Sequence, residues 1–384
     1  MGLFFIIIAG LFLIIFGLSC YVLSFIFEGK NLRRSRIALA ILDLGLIAGT
    51  IFHPEILRES TFPVSFLSVM LVWQFFSIIF ILTAAAIRSI YRHLPSSDKK
   101  FDPERRRLIR NAIFYPFLSF AIGLYGNNVE RKRTVDRNFE IPIDNLPPEL
   151  ENFTIAQISD IHLGKYFSLE DLSELLTRVA NSQPDLLAIT GDIFDDISMN
   201  SQAIKLVDSF CDKFKLGIWY CHGNHEHHRG IRPIELGLAQ TRIHWLVNQW
   251  ESAGISNLTL IGVDYPMVFG DNEKFQRLKH EFIAEAMQGI PENSTKILLA
   301  HHPEFIDDAR EFQIPLTMTG HTHGSQIGIF GLPLFPVFKY TRGMVIDKSK
   351  KFFGYVHVGN GSWFPFRFGC PPEIAYFHLR RQNS

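Results

Sequence analysis

The chain of 384 residues balances 38 Lys and Arg against 38 Asp and Glu, and a net charge of zero gives no support to a nucleic-acid partner. Apolar residues dominate the first 126 positions, whereas the remainder has the composition of an ordinary globular domain, long enough to bury a sizeable core. Four cysteines (Cys20, Cys211, Cys221 and Cys370) lack close pair spacing, which argues against a disulfide framework and against a thiolate metal site.

Gly2 to Phe27 carries no formally charged side chain, a length that can span a bilayer, and it lacks the basic start of a signal peptide. Ile37–Phe52, which contains Asp43, reads as a second span, Phe62–Ile87 as a third and Asn111–Gly126 as a fourth. Residues 1–126 are therefore expected to form a transmembrane region of about four helices. Residues 127–150 are expected to be a juxtamembrane linker with the first strand, and 151–384 the catalytic domain. Lys30, Arg33, Arg34 and Arg36 precede the second span, and Arg88, Arg92, Lys99, Lys100, Arg105–Arg107 and Arg110 precede the fourth. The positive-inside rule places both basic segments in the cytoplasm and the catalytic domain outside it.

The rest of the chain alternates strand and helix patterns. Apolar runs of strand length occur at Glu140–Ile143, FTIAQI, PDLLAI, LGIWYC, Leu258–Val263, KILLA, PLTM, YVHVG and EIAYFHL. Leu169, Leu172, Leu175, Leu176 and Val179 recur at helical spacing, and further helices are expected over Gln202–Phe214, within Pro233–Trp250 and over Asn272–Met287. This alternation predicts an α/β fold.

Five short pieces carry the chemistry, and most follow one of those strands: ISDIH (Ile158–His162), TGDIFDD (Thr190–Asp196), HGNHEHH (His222–His228), AHHPEF (Ala300–Phe305) and TGHTHGSQ (Thr319–Gln326). A ligand on a tight loop beyond a strand is held rigidly, and open α/β sheets gather such loops at one crevice. Asp160 and His162 can meet one divalent ion, Asp192 can bridge two through its two oxygens, and Asn224 supplies a neutral oxygen. His301, His321 and His323 complete a nitrogen and oxygen set that suits Mn, Fe or Zn. A metal-dependent hydrolase is the first reading.

The order D-x-H, G-D-x-x-D, G-N-H-[DE], H-x-P, G-H-x-H resembles the calcineurin-like metallophosphoesterases, and specifically their bacterial membrane-associated branch. Here it reads Asp160-Ile-His162, Gly191-Asp192-Ile-Phe-Asp195, Gly223-Asn224-His225-Glu226, His301-His302-Pro303 and Gly320-His321-Thr-His323. The resemblance implies a four-layer α/β/β/α sandwich, here preceded by a transmembrane helical region, with two divalent metal ions. Asp160, His162, Asp192 and His323 would hold one ion; Asp192, Asn224, His301 and His321 would hold the other. His225 would stabilise developing charge or protonate the leaving oxygen, with Asp195 orienting it. Ser325 stands where the branch usually has glycine.

His222, His227 and His228 raise the question of a further metal but read as polar residues about the mouth. Arg229 and Arg367 are within the range of residues that could meet a phosphate, and His357 is expected to pack within its strand. The run IGIFGLPLFPVFKY (327–340) is apolar and broken by two glycines and two prolines, so it reads as a loop with an unusually greasy surface. Held beside a bilayer, such a loop would receive an acyl chain. The expected substrate is then a phosphodiester or pyrophosphate, in a lipid-linked form, with membrane lipid as a partner and a multi-pass inner-membrane location. The competing expectations are a catalytically silent scaffold and a water-soluble phosphomonoester or nucleotide substrate.

Overall fold

The computed structural model describes residues 13, 16–21, 23–24, 29–51, 114–164, 166–334, 336–362 and 365–382. The chain separates into two compact units: Met1–Val129 with Phe364–Phe366, and Glu130–Trp363 with Arg367–Ser384.

In the first unit, α1 spans Gly29–Ile51 and α2 spans Phe114–Asn128. The basic segment expected between two spans is instead the start of α1, which carries Lys30, Arg33, Arg34 and Arg36 in its first turns and Asp43 further on. The 15 residues of α2 would reach only about 22 Å at helical rise, short of a hydrocarbon core of about 30 Å. Among the described residues no helix is long and apolar enough to cross a membrane. The expected transmembrane region, its multi-pass location, the extracytoplasmic placement and the membrane-lipid partner are corrected accordingly. Phe62–Ile87 lies outside the described residues, as does Gly2–Phe27 apart from residues 13, 16–21 and 23–24.

The second unit is built on two six-stranded sheets. The first contains β1 (Val135–Ile143), β14 (Glu373–Arg381), β2 (Thr154–Ile158), β3 (Leu186–Thr190), β4 (Ile218–Cys221) and β5 (His244–Trp245), in that spatial order. The second runs β12 (Gly343–Ile346), β13 (Phe353–Val356), β9 (Leu316–Thr319), β8 (Thr295–Leu299), β7 (Leu258–Gly262) and β6 (Gln249–Ser252). Strands β2 to β5 are mutually parallel, as are β7, β8, β9 and β13.

Strands buried on both faces should be apolar throughout and divide their side chains by parity. In β3, Leu186 and Ala188 join the core between the sheets, while Leu187 and Ile189 turn outward to the helices. The inter-sheet core brings Ile155, Leu186 and Trp219 together with Leu260, Ile297, Leu316 and Tyr355. Outside the first sheet pack α3 (Leu169–Asn181), α4 (Asn200–Ser209) and α6 (Ile231–Leu238). The expected helix at Leu169 forms because Leu172, Leu175, Leu176 and Val179 share its buried face and Ser168 caps it reciprocally with Asp171. Outside the second sheet, α7 (Asn272–Ala286) and α8 (Phe305–Glu311) contribute Ile283, Ala286, Phe305 and Ala309. These are the four layers α/β/β/α of a sandwich.

Two local expectations fail. The stretch Pro233–Trp250 is helical only at its start in α6 and then supplies β5 and part of β6, since pairing with sheet neighbours overrides its weak helical pattern. The helix over Gln202–Phe214 begins earlier and stops at Ser209, followed by a 3-10 turn at Cys211–Lys213.

Candidate metal centre

Every motif piece lies just beyond the carboxyl end of a parallel strand: Asp160 and His162 after β2, Asp192 and Asp195 after β3, Asn224 and His225 after β4, His301 after β8, and His321 and His323 after β9. Helix α5 (Asn224–Arg229) starts within the third of these pieces.

The backbone is bent hard to aim these side chains. Asp160, His162, Asp192, His321 and His323 all adopt positive φ, between 50° and 74°, a left-handed conformation costing L-residues about 1–2 kcal/mol each. The loops hold one another in it. Asp160 N–H donates to the Gly191 carbonyl at 3.1 Å, His162 N–H to the Asp192 carbonyl at 2.9 Å, and Gly361 N–H to the Asp160 carbonyl at 2.9 Å. Gly191, at φ 84°, leaves no room for a side chain, because a Cβ there would lie 2.7 Å from His301 Nδ1. A Cβ on Gly320 would strike Ser159 Oγ and Asp160 Oδ2. Ser325, where the resemblance expects glycine, sits at φ 63° and donates its hydroxyl to the Ile327 carbonyl at 2.8 Å.

The donors fall into adjacent groups. Asp160, His162 and His323 form one cluster, and Asp192, His301 and His321 another. In the first, His162 Nε2 lies 2.9 Å from His323 Nε2, which is 3.5 Å from Asp160 Oδ1. In the second, His301 Nε2 lies 3.1 Å from Asp192 Oδ2, and His321 Nδ1 lies 2.9 Å from Asn224 Oδ1. Asp192 Oδ2 is also 3.6 Å from His162 Nε2, so one carboxylate faces both groups. Donors held about 2.1 Å from a tetrahedral ion stand about 3.4 Å apart, and these separations straddle that value.

His301 shows the fit most directly. Its Nδ1–H donates to the Thr190 carbonyl at 2.7 Å, which leaves Nε2 to present a lone pair. That nitrogen is buried, has no hydrogen-bond partner among the described residues and faces two carboxylates. Burial works against a charge on this ring, but Asp192 and Asp160 push its pKa up to about 10; a divalent ion would take the place of that proton. Burial and neighbouring imidazoles hold His321 and His323 well below the usual histidine range, in the neutral form that ligates metal. Asp160 is raised by burial and, after the opposing effect of His301, by the neighbouring Asp192 charge, the signature of two carboxylates in want of a cation. The chain thus carries the donors of a two-metal centre.

His225 stands beside the first group, its ring 4.5 Å from that of His162. Its Nδ1 lies 3.0 Å from Asp195 Oδ1. Burial lowers its pKa less than the Asp195 hydrogen bond and the Asp192 charge raise it, so the net direction is upward. Asp195 Oδ1 also accepts from Arg229 Nε at 2.7 Å, so the arginine that the sequence offered to a phosphate is paired with this carboxylate.

Of the other side chains, Arg367 and His222 are placed differently from expectation, and His228 and His357 as expected. Arg367 is fully buried and donates to the carbonyls of Val358, Gly359, Gly361 and Cys370, so it braces a loop and is not free for phosphate. His222 is buried, 1% exposed, and is not at the mouth, whereas His228 is exposed with its ring 6.1 Å from His225. His357 is buried within the sheet layer and accepts from Gly359 N–H at 2.9 Å. In the run 327–340, a two-residue hairpin of β10 (Gly328–Ile329) and β11 (Leu332–Pro333) leaves Phe330 exposed. Phe338 turns inward, its ring 5.0 Å from His321. Tyr265, unremarked in the sequence, lies 5.4 Å from the same histidine; the signal was its position directly after the β7 strand.

Comparison with known proteins agrees with this geometry. A family model described as calcineurin-like phosphoesterase matches residues 153–325. An uncharacterized metallophosphoesterase of Helicobacter pylori (strain ATCC 700392 / 26695) is 30% identical over 321 residues, which is 80% of each chain. The uncharacterized metallophosphoesterase YkuE of Bacillus subtilis (strain 168) is 30% identical over 62% of this chain and 82% of its own. Phosphodiesterase YaeI of Escherichia coli (strain K12) is 26% identical over 62% of this chain and 84% of its own.

Proposed function

The chain belongs to the calcineurin-like metallophosphoesterases, and from that premise we propose that it hydrolyses a water-soluble phosphate ester of nucleotide type. Metal-dependent phosphoesterase chemistry follows from the family and the clustered donors. The membrane-associated branch and the lipid-linked substrate are not retained, because both leaned on spans that no described helix provides.

In this reading Asp160, His162, Asp192 and His323 hold one ion, and Asp192, Asn224, His301 and His321 the other, within a catalytic domain of residues 151–384. When bound, the ions would supply Lewis-acid polarisation of the phosphate oxygens and acidify a water molecule. The protein's own part is orientation and proton transfer. His225, with its Nδ1 on Asp195, keeps Nε2 for the substrate, where it stabilises charge or protonates the leaving oxygen. Asp195 fixes the tilt of that ring, and Arg229 holds Asp195.

The observation that carries the substrate class is the aromatic wall beside the second group. Tyr265 and Phe338 flank His321 at 5.4 and 5.0 Å, and Phe275 packs 4.8 Å from the ring of His302. Such faces suit a flat nucleobase better than a flexible chain. The test is hydrolysis of aryl phosphomonoesters, aryl phosphodiesters, nucleoside monophosphates and cyclic nucleotides by the full chain loaded with Mn2+, Fe2+ or Zn2+. A higher kcat/KM for nucleotides than for aryl esters, reduced by Phe338→Ala mainly through KM, is the expected result. Equal turnover of both classes, or indifference to Phe338→Ala, would overturn the nucleotide assignment.

A further inference from the structure

A third cluster shares no residue with the two groups above. His222 follows β4, His227 lies on α5 and Asp264 follows β7. Each offers one ligand atom, and the three atoms all lie within 4.8 Å of one another. Asp264 Oδ1 is the hub: it lies 2.7 Å from His227 Nε2 and 3.4 Å from His222 Nδ1, and accepts Tyr265 N–H at 2.8 Å.

The second observation is the state of His222. Its ring is 1% exposed, yet Nε2 has no hydrogen-bond partner among the described residues and Nδ1 faces only Asp264, at a long 3.4 Å. A buried polar group left unpaired is costly, and a sandwich interior has many cheaper residues to place there. The ring is held between Trp245 and Tyr220, at 6.0 and 5.7 Å, with its Nδ1 toward Asp264. The other two ligands are more open, each with 18% of its side chain exposed, so both touch solvent.

We propose that His222, His227 and Asp264 form a third metal site for one divalent transition ion. Two imidazoles and a carboxylate without thiolate suit Zn2+, Mn2+ or Fe2+, and three protein ligands leave one position for water. Its role is to position the chemistry. The ion would tie the loop bearing Asn224 and His225 to the loop bearing Tyr265, two pieces that no strand pairing joins, since β4 and β7 belong to different sheets.

The test is a count of Zn2+ bound per full-length chain, by titration calorimetry and elemental analysis, with circular dichroism to confirm folding. The wild type should take up three equivalents, and Asp264→Asn and His227→Gln two each. Asp192→Ala, which removes the bridging carboxylate of the catalytic pair, should keep one, and Asp192→Ala combined with His222→Gln should keep none. Co2+ in the Asp192→Ala background should give visible absorption that His222→Gln abolishes. Two equivalents in the wild type, with water bridging the cluster, would overturn the proposal. So would a third equivalent that survives both His227→Gln and Asp264→Asn. Loss of the catalytic pair alone would show in the Asp192→Ala arm and be distinguishable from either.

Discussion

Glu226 binds the main chain of Asp192: its carboxyl accepts the Asp192 N–H at 3.0 Å while also accepting from Ile193 at 2.7 Å, Phe194 at 3.2 Å and Gly223 at 2.9 Å. The residue is fully buried, and its four bonds clamp the turn that carries the bridging carboxylate to the turn that carries Asn224. Replacing it with Gln keeps the volume but turns an amide NH2, itself a donor, toward two of those N–H groups. Glu226→Gln is expected to destabilise the fold by about 2–4 kcal/mol and to weaken metal binding in parallel. Denaturant unfolding and metal titration on the same samples check this; unchanged metal affinity would show that the clamp does not shape the site.

Removing the metals should cost stability as well as activity. A ligand present at a hundred times its dissociation constant adds about 2.7 kcal/mol per site, so chelation should lower the melting temperature and abolish hydrolysis. Asp192→Ala is expected to match the chelated protein in turnover, because the bridging position serves both groups. Melting curves with and without chelator, followed by reloading with single metals, provide the measurement.

His225→Ala should separate binding from chemistry. The side chain lies outside both donor groups, so the ions should stay while kcat falls by roughly a hundredfold or more. Asp195→Asn is expected to fall less, since an asparagine Oδ1 can still accept from the ring Nδ1–H while the negative charge is lost. Metal content by elemental analysis beside steady-state kinetics decides it, and a loss of metal in His225→Ala would contradict the assignment.

Acid should destabilise the protein in part through His357, which is distant in sequence from the donors. Burial, and secondarily the nearby Arg367 charge, lower its pKa to about 3. The unfolded chain takes up this proton near pH 6.5 while the folded chain refuses it. The penalty is absent above about pH 6.5, grows as pH falls and levels off near pH 3. His357→Gln should flatten the slope of unfolding free energy against pH between those limits, by up to a few kcal/mol at the acid end. Metal-free samples of both proteins remove proton release linked to metal binding, and the ligating histidines then contribute equally to both slopes; parallel slopes would refute the prediction.

Much of the catalytic unit was legible because its signals are local. A buried parallel strand needs an unbroken apolar run, and the turn after it needs glycine where a neighbouring loop comes close. LLAIT followed by Gly191-Asp192, and LTMT followed by Gly320-His321, therefore announce both strand and ligand. The helix at Leu169 is legible for the same reason, since about three turns of continuous chain contain both its cap and its buried face. Hydropathy misled where it was read without context. Lys30 to Arg36 look like a loop between apolar windows, yet they are the first turns of the helix that continues to Ile51.

Tertiary structure decided what depends on residues distant in sequence. Asp160 and His321 are 161 positions apart, yet the His321 N–H donates to the Asp160 carboxylate at 2.9 Å, a relation created by strands of two different sheets. No periodicity could announce that His222 is buried with its Nδ1 toward Asp264, or that Arg229 belongs to Asp195. Nor could it show that Arg367 spends its donors on backbone carbonyls. The sequence by itself determined which chemistry-bearing side chains sit at strand ends, because backbone conformation and burial are set within a few residues. Only the packing of sheet on sheet decided which of them face one another, because that distance is fixed by the inter-sheet core and not by the chain between them.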